Sequence, residues 1–331
     1  MKRDKSTRKK HNRYTKQKAN NFSVLHKNTP KKIKKYFDGG VLHMLLGLMY
    51  LLKVYKKNVC LPSITRSTVP SMNTIALTWR CGVTQDTRDI GKNFVLGFPG
   101  GLESFKNKMV SCIRTNKRFI IIPLFLQLED CDYTGHYNMV IFDKKEKIVE
   151  RFEPYGINKS DFELLNIGKH FDTRFASILK TFTKQIKINF KYIPPSQTCP
   201  RIGVQEKEEA DLNRSIKTPE HRLDPEGFCG VWSIWYAHLR LAYPNIPPNE
   251  IQKKALSILK KEPHSLRHFI RNYSAFLDTE KRRLVREVIN EEELQAKFSR
   301  SNLTSNLNAI NEETGLELKN FIVSKIIDRL A

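Results

Sequence analysis

The chain has 331 residues, 40% of them hydrophobic, which is enough to bury one large core with or without a smaller accessory domain. Its longest apolar run, Val41 to Leu52, falls short of the ~18 residues that a membrane span requires, and it begins too late for a secretory signal. The six cysteines are widely spaced without a CxxC pair, which predicts a reducing compartment and neither a zinc site nor a disulfide framework. No motif predicts a cofactor.

The net charge of +24 is concentrated in an N-terminal arm, residues 1–36, where fourteen Lys or Arg residues stand against one acid, Asp4. A segment this basic has too few apolar side chains to fold alone. One interpretation is nonspecific contact with DNA or RNA, in which the arm neutralises phosphates. The other is a solubilising or targeting tail, because no helix-turn-helix or zinc motif follows that would read bases.

Residues 37–115 predict a helical accessory region with irregular connections. Asp38 stands where it can cap a buried helix that begins at Val41. Further on, "LGFPGGLESF" is typical of a turn followed by a short helix.

The pattern changes after residue 115. "RFIIIPLFLQL" predicts a buried strand that is broken or bulged at Pro123. "HYNMVIFD" and "IVERFEPYG" flank the charged connector "KKEK" and predict a hairpin. Residues 172–185 predict a helix and residues 186–193 a strand. This order is typical of an α+β core over residues 116–262, and residues 263–331 predict a helical C-terminal extension.

A cysteine opens the next helix, in "EGFCGVWSIWYAH". Backbone N–H groups and the macrodipole at a helix N-terminus stabilise a thiolate and can bind an oxyanion, so Cys229 is a candidate nucleophile. The alternative is that Cys229 is a small buried apolar residue. A nucleophilic cysteine needs a base and a group that orients the base, and both must come from elsewhere in the chain.

The hairpin supplies candidates for both. Closing it over "KKEK" pairs Asp143 with Ile148, and this register places four polar side chains on one face of the sheet: His136, Asn138, Glu153 and Tyr155. Glu153 then lies diagonally opposite His136, within reach of the ring. Asp143 and Glu150 fall on the other face and are poorer candidates.

Two other histidines lie close to Cys229 in the sequence. His238 lies nine residues beyond Cys229 in the same helix, about 13 Å along its axis, and cannot reach the thiol. His221, in the loop before Cys229, stays open as a base.

Three stretches carry a resemblance to a known family: "GHYNMVIFD", "CPRIGVQEKEEAD" and "DPEGFCGVWSIWYAHLRLAYPN". With a histidine, a later acid and a helix-opening cysteine in that order, the chain resembles cysteine proteases of the adenovirus-protease and ubiquitin-like-protein-protease clan. The resemblance is strongest to the branch of the African swine fever virus protease and its giant-virus relatives. It implies a papain-like protease core, with His136 as base, Glu153 as orienting acid and Cys229 as nucleophile.

Two positions depart from the pattern of that clan. The clan usually has Asp or Asn where Glu153 stands, and its oxyanion glutamine lies closer to the cysteine, where this chain has Leu223. The resemblance favours Gln205 for that role, with Gln197 and a plain surface position for Gln205 as alternatives. The backbone N–H of Cys229 is a further oxyanion donor.

The resemblance also implies a substrate: polypeptides cleaved after small residues, notably Gly-Gly pairs, in viral structural polyproteins, within the virion or the host cytoplasm. Two other functions stay open, a deconjugase of ubiquitin-like proteins and a basic nucleic-acid-binding virion protein. The pair Gly39–Gly40 makes Gly40–Val41 a candidate self-cleavage bond, although glycines at a loop-to-helix junction are also ordinary turn residues.

Overall fold

The computed structural model describes residues 41–62, 75–80, 94–98, 101–129, 135–157, 162–214, 227–259, 265–288 and 325. Four predictions fall outside these ranges: the basic arm, the cap at Asp38, the glycine side of the Gly40–Val41 bond, and His221 as a base. Among the described helices, none combines the length and the apolar character needed to cross a membrane.

The described residues form a mixed α+β fold built on one mixed sheet, as the sequence predicted in outline. The strands are β1 (Val59–Cys60), β2 (Ile75–Arg80), β3 (Phe94–Gly97), β4 (Phe119–Glu129), β5 (His136–Asp143), β6 (Ile148–Phe152) and β7 (Lys191–Ile193). The helices are α1 (Val41–Val54), α2 (Leu102–Arg114), α3 (Phe162–Ile186), α4 (Pro195–Thr198), α5 (Val204–Arg214), α6 (Cys229–Ala242), α7 (Pro248–Leu259) and α8 (Leu266–Val288).

The strand order is β3-β2-β4-β5-β6-β7, and β1 pairs in parallel with the first residues of β4. β5 is antiparallel to both of its neighbours, whereas β2 runs parallel to β4 and β7 runs parallel to β6. The strand predicted over residues 186–193 is therefore shorter than expected, since only its last three residues pair with β6.

Alternating side chains of β4 and β5 pack into two hydrophobic cores, one on each face of the sheet. The first core joins the sheet to α1, α6, α7 and α8, through strand residues such as Ile121, Met139 and Ile141. The second joins it to α2 and α3, through residues such as Ile122 and Val140. Helix α6 lies inside the first core, between β5 and the helices α1, α7 and α8, so its position is fixed on several sides.

The expected break at Pro123 is not present. The register between β4 and β5 runs without interruption from Phe119–Asp143 to Leu126–His136, with Pro123 opposite Met139. On the other side of β4, the described pairs with β1 end at Ile120 and those with β2 begin at Leu124. Pro123 lies in the gap between these two partners, where its missing N–H costs no ladder hydrogen bond.

The region 37–115, expected to be helical, contributes α1 and α2 but also three strands of the central sheet. The sheet is continuous across the boundary expected at residue 115, because β1 and β2 both pair with β4. These strands are short and lie among turn residues, which is why apolar periodicity did not reveal them.

A disulfide joins Cys60 to Cys112, although the cysteine spacing predicted a reducing compartment without a disulfide framework. The two residues are 52 apart in sequence, but the pairing of β1 with β4 brings Cys60 beside α2, which immediately precedes β4. Wide cysteine spacing therefore did not exclude a bond, because the sheet brings distant segments together. Cys199 and Cys229 are free thiols.

The C-terminal extension begins as an integral part of the first core. Helix α8 packs against α1, α5 and α6, and its buried residues include Phe269, Ile270 and Tyr273. Its helical character agrees with the expectation for residues 266–288, and the remainder of the extension is outside the described ranges apart from residue 325.

Candidate active site

Cys229 is the first residue of α6, as the sequence predicted. The first backbone hydrogen bond of the helix runs from Trp232 N to Phe228 O, and no side chain caps the N-terminus. N–H groups in a first helical turn have no acceptor within the helix, so they are available to an anion at this position. The Cys229 side chain is half-buried, and its Sγ accepts a hydrogen bond of 3.5 Å from Tyr137 N of β5.

The hairpin register predicted from the sequence is confirmed. Asp143 pairs with Ile148, and the ladder continues to Met139 opposite Phe152. His136 is the first residue of β5, and Glu153 follows the last residue of β6. Because the strands are antiparallel, both side chains lie at the same end of the sheet, and this is the end at which α6 begins.

His136, Glu153 and Cys229 are in contact there. His136 Nε2 lies 2.6 Å from Glu153 Oε1, and Cys229, whose Sγ accepts from the backbone N–H next to His136, lies close enough to the imidazole to raise its pKa. Only 2% of His136 and 4% of Glu153 is exposed. Burial by itself would lower the pKa of His136, but the charge and hydrogen bond of Glu153, with a contribution from Cys229, outweigh it and raise that pKa to about 10. The ring therefore carries a proton at neutral pH.

The Glu153 carboxylate is held from three directions. Oε1 accepts from His136 and, at 3.0 Å, from the backbone N–H of Tyr155, while Oε2 lies 3.4 Å from Arg151 Nη1. Burial would raise the pKa of Glu153, but His136 and then Arg151 lower it below its usual range. Glu153 is therefore ionised opposite a protonated ring. The rings of His136 and Tyr155 lie against each other with centroids 5.0 Å apart.

Sequence reasoning missed Arg151 as part of this group. Arg151 stands two residues before Glu153 and so shares its face of β6, a spacing that was visible in "RFE". The other members of the predicted face are also present: Asn138 Oδ1 accepts from Arg151 Nη1 in a short hydrogen bond. The four predicted polar residues thus lie together, with Arg151 among them.

Asp143 and Glu150, the poorer candidates, form ion pairs away from the His136–Glu153 pair. Glu150 Oε1 accepts from Arg240 Nε and Oε2 from Tyr236 Oη, both at 2.6 Å and both from α6. Asp143 forms a two-point ion pair with Arg118, at 2.9 and 2.7 Å. Both carboxylates are fully buried, and each is occupied by a structural arginine.

Gln205, the predicted oxyanion residue, lies beside the cysteine segment. It is the second residue of α5 and only 1% exposed, and a Cβ placed on Gly227 would come within 3.0 Å of its Nε2. Gln197, the alternative, is exposed in the single turn α4. The structure therefore brings Gln205, and not Gln197, next to the segment that leads into Cys229.

Two glycines place Gln205 relative to Glu153. The loop after β6 packs backbone to backbone against the start of α5, with Gly203 N donating to Tyr155 O at 2.8 Å and Gln205 N to Pro154 O at 3.0 Å. A Cβ at Gly203 would come within 2.2 Å of Pro154 O, so only glycine fits there. Gly156 has a φ of 86°, in the left-handed region that also favours glycine.

The side-chain amide of Gln205 is engaged inside the protein. Its Nε2 donates to Tyr155 Oη at 3.0 Å and to Glu209 Oε1 at 3.2 Å, and Tyr155 Oη donates to the same carboxylate oxygen at 2.8 Å. Gln205 Oε1 is buried without a hydrogen-bond partner. An oxyanion role therefore requires the amide to turn from Glu209 towards the substrate.

His238 lies away from this group, as predicted. Its Nδ1 is 3.1 Å from Tyr273 Oη of α8, and burial lowers its pKa to about 4. The described residues contain no cluster of three or more His, Cys, Asp or Glu side chains arranged to hold a metal ion.

No family model matches the chain. The chain is 27% identical over 248 residues to the putative ankyrin repeat protein L371 of Acanthamoeba polyphaga mimivirus. The match covers 72% of this chain but only 31% of the relative, so the chain spans about a third of the length of that protein. An ankyrin repeat is a β-turn with two helices, whereas the described residues here form a mixed sheet between helices.

Proposed function

We propose that this protein is a cysteine endopeptidase with a papain-like core. The observation that carries the proposal is the contact of three groups at one end of the sheet: a half-buried cysteine at a helix N-terminus, a buried histidine and a buried glutamate. Their order, nucleophile to base to orienting acid, is the arrangement that activates a weak nucleophile. The resemblance of the surrounding sequence to viral cysteine proteases supports the same assignment.

The proton of the Cys229 thiol resides on His136 in the resting pair, and Glu153 stabilises this imidazolium. The thiolate then attacks the carbonyl carbon of a peptide bond, and a tetrahedral intermediate forms. His136 returns the proton to the amide nitrogen, the C–N bond breaks, and the amine product leaves with a thioester at Cys229. Water, with His136 as base, hydrolyses the thioester and frees the thiol.

The negative oxygen of the tetrahedral intermediate needs donors close to Cys229. The N–H of Cys229 at the start of α6 is one donor. The second is the amide of Gln205, which lies next to Gly227 and exchanges its bond to Glu209 for one to the oxyanion.

We assign the substrate from the resemblance. It favours polypeptides cleaved after Gly-Gly in viral structural proteins, and the giant-virus origin of the relative is consistent with such a setting. A location in the virion or the host cytoplasm belongs to the same proposal.

Peptide cleavage tests the function directly. Wild-type protein is incubated with peptides that carry Gly-Gly followed by varied residues, and the products are identified by mass spectrometry. Cys229→Ala abolishes cleavage in this proposal, whereas Cys199→Ala, a change at the other free thiol, keeps it. Equal cleavage by wild type and Cys229→Ala contradicts the assignment. Hydrolysis of a ubiquitin-like fusion but of no short Gly-Gly peptide favours a deconjugase instead.

The basic arm supports a second, separable function, nonspecific binding of nucleic acid. Its fourteen cationic side chains can neutralise the negative charges of a phosphate backbone. Deletion of residues 1–36 weakens duplex DNA binding and reduces its salt dependence in this proposal, with peptide cleavage retained. Unchanged DNA affinity identifies the arm as a tail only.

A further inference from the structure

A chain of charged groups, of which His136, Glu153 and Arg151 are buried, leads from the candidate active site to α3 beside the second core. His136 contacts Glu153, Glu153 contacts Arg151, and Arg151 contacts Asp172 of α3. Arg151 is only 4% exposed. The charges alternate in sign, and they sum to zero when His136 is protonated.

Arg151 is held far more firmly by α3 than by the site. Its Nε donates to Asp172 Oδ1 at 2.8 Å and its Nη2 to Asp172 Oδ2 at 3.0 Å, a two-point bond with fixed geometry. The remaining nitrogen, Nη1, is aimed at Asn138 Oδ1 and Glu153 Oε2. Tyr192 Oη of β7 donates to Asp172 Oδ1 and holds that carboxylate in turn.

The contact with Arg151 matters because the orienting acid, Glu153, has a longer side chain than an aspartate. A glutamate has one more rotatable bond than the aspartate or asparagine usual at this position, so its carboxylate has more ways to miss the imidazole. Arg151 lies next to Oε2 while Oε1 faces His136, and it thereby limits rotation of the carboxylate. A buried guanidinium also favours an ionised Glu153 over a protonated one.

We propose that Arg151 is a positioning residue that fixes Glu153 against His136, and that Asp172 holds Arg151 in place for this task. The consequence for catalysis rests on the proposed function, but the effect on the Cys229–His136 pair does not require a substrate. The test therefore uses two readouts.

Four groups face Glu153. The three other than Arg151 contact Oε1 or the backbone N–H, so they cannot take the place of Arg151 at Oε2. His136 and the Tyr155 N–H bind Oε1, and the buried Cys199 thiol lies against the Glu153 backbone N–H at 3.5 Å. Among the described residues, Arg151 is the cation that approaches Oε2. Arg151 also lowers the pKa of Glu153, after the larger effect of His136.

The first readout is the rate at which iodoacetamide alkylates Cys229 as a function of pH, measured on the full chain by peptide mass spectrometry. Arg151→Met removes the cation, so Glu153 is protonated at higher pH and the acid limb of the profile moves to higher pH. Asp172→Asn removes an anion and leaves Arg151 charged, so the limb moves to lower pH. Opposite shifts show that both charges act on the Glu153–His136 pair, and the second readout then tests whether Arg151 also positions the carboxylate.

The second readout is kcat/KM for a Gly-Gly peptide across the same pH range. Arg151→Met lowers kcat/KM on the order of 10–100-fold, because misplacing a catalytic group by about 1 Å costs about 10²-fold. Arg151→Lys keeps the charge but loses the two-point bond, so it leaves the acid limb near its wild-type position with intermediate kcat/KM. If Arg151→Met fails to fold, Arg151→Lys and Asp172→Asn still test the proposal.

Arg240→Met is the matched control. Arg240 is equally buried and pairs with Glu150, but from α6 on the opposite face of β6, so this change lowers stability without moving the acid limb. Alkylation profiles that coincide for wild type, Arg151→Met and Asp172→Asn overturn the proposal, and so does an equal shift with Arg240→Met. Absence of peptide cleavage by the wild type contradicts the proposed function, whereas the alkylation profiles still decide the role of Arg151.

Discussion

His136 Nε2 lies 2.6 Å from Glu153 Oε1, and both side chains are buried. The carboxylate therefore determines the charge of the ring, because burial alone would lower the pKa of His136 and Glu153 supplies the largest opposing effect. The raised pKa, about 10, keeps His136 protonated throughout the physiological range.

The first prediction is that Glu153→Gln moves the basic limb of the pH–activity profile to lower pH. The amide keeps an acceptor for the ring but loses the charge, so the pKa of His136 falls and the imidazolium is lost earlier as pH rises. We expect kcat/KM at pH 7 to fall by up to about 10⁴-fold, still less than with Cys229→Ala, because the amide can accept a hydrogen bond from the ring. Steady-state kinetics between pH 5 and about 10 measures the shift.

Glu150→Gln is the control for that change. Glu150 is also a buried glutamate of β6, but it binds Tyr236 and Arg240 on the opposite face. We expect a loss of stability in urea unfolding and an unmoved pH profile. If Glu150→Gln shifted the basic limb and Glu153→Gln did not, the assignment of the orienting acid would be wrong.

The hairpin shows how far the sequence leads. The connector "KKEK" and the alternation of its two flanks specify the register Asp143–Ile148, and that register alone places Glu153 on the face of His136. Local periodicity is sufficient here because the two strands are adjacent in the chain. The start of a helix at Cys229 was predictable for the same reason.

Other contacts of the site depend on segments that are distant in sequence. Asp172 reaches Arg151 only because α3 packs across the sheet, and Gln205 reaches Gly227 only because the backbone at Gly203 lies against the loop after β6. No periodic pattern carries such information, since each contact is set by the packing of whole elements. The disulfide depends on such packing too, because the pairing of β1 with β4 brings Cys60 beside Cys112.

The second prediction concerns thiol reactivity. We expect iodoacetamide at pH 7 to alkylate Cys229 about tenfold or more faster than Cys199 in the folded protein. Cys229 is half-buried beside His136, whereas Cys199 is buried and its pKa is raised by that burial. Peptide mass spectrometry after a timed reaction gives both rates.

His136→Ala provides the comparison, since it removes the imidazolium and leaves the exposure of Cys229 unchanged or greater. We expect the rate at Cys229 to fall towards that of an ordinary exposed thiol. A rate that stays the same or rises would show that His136 does not activate Cys229.

The third prediction concerns the disulfide between Cys60 and Cys112. The bond closes a loop of 52 residues, and cross-linking a loop of that size stabilises a fold by about 4 kcal/mol in the chain-entropy description. The double substitution Cys60→Ser, Cys112→Ser should lower the free energy of unfolding in urea by about that amount. Wild-type protein treated with a reductant should match the double variant, and equal urea midpoints with and without reductant would contradict the bond.

The fourth prediction concerns Gln205 as an oxyanion donor. Removal of one such donor lowers kcat by about 10²–10³-fold, so we expect Gln205→Ala to reduce kcat to that extent with little change in KM. Gln197→Ala, at an exposed position in α4, should leave both constants near their wild-type values. Steady-state kinetics on a Gly-Gly peptide separates kcat from KM.

Gly227→Ala tests the same assignment from the side of the cysteine segment. Its added Cβ would come within 3.0 Å of Gln205 Nε2, so it crowds the amide that the oxyanion role requires to turn. We expect a loss of kcat in the same direction as Gln205→Ala but smaller, and little further loss when the two changes are combined, because both act on one donor. Fully additive losses in the double variant would mean that Gly227 acts independently of Gln205. If Gln205→Ala kept the kcat of the wild type, Gln205 would not be an oxyanion donor, and the N–H groups at the start of α6 would fill that role.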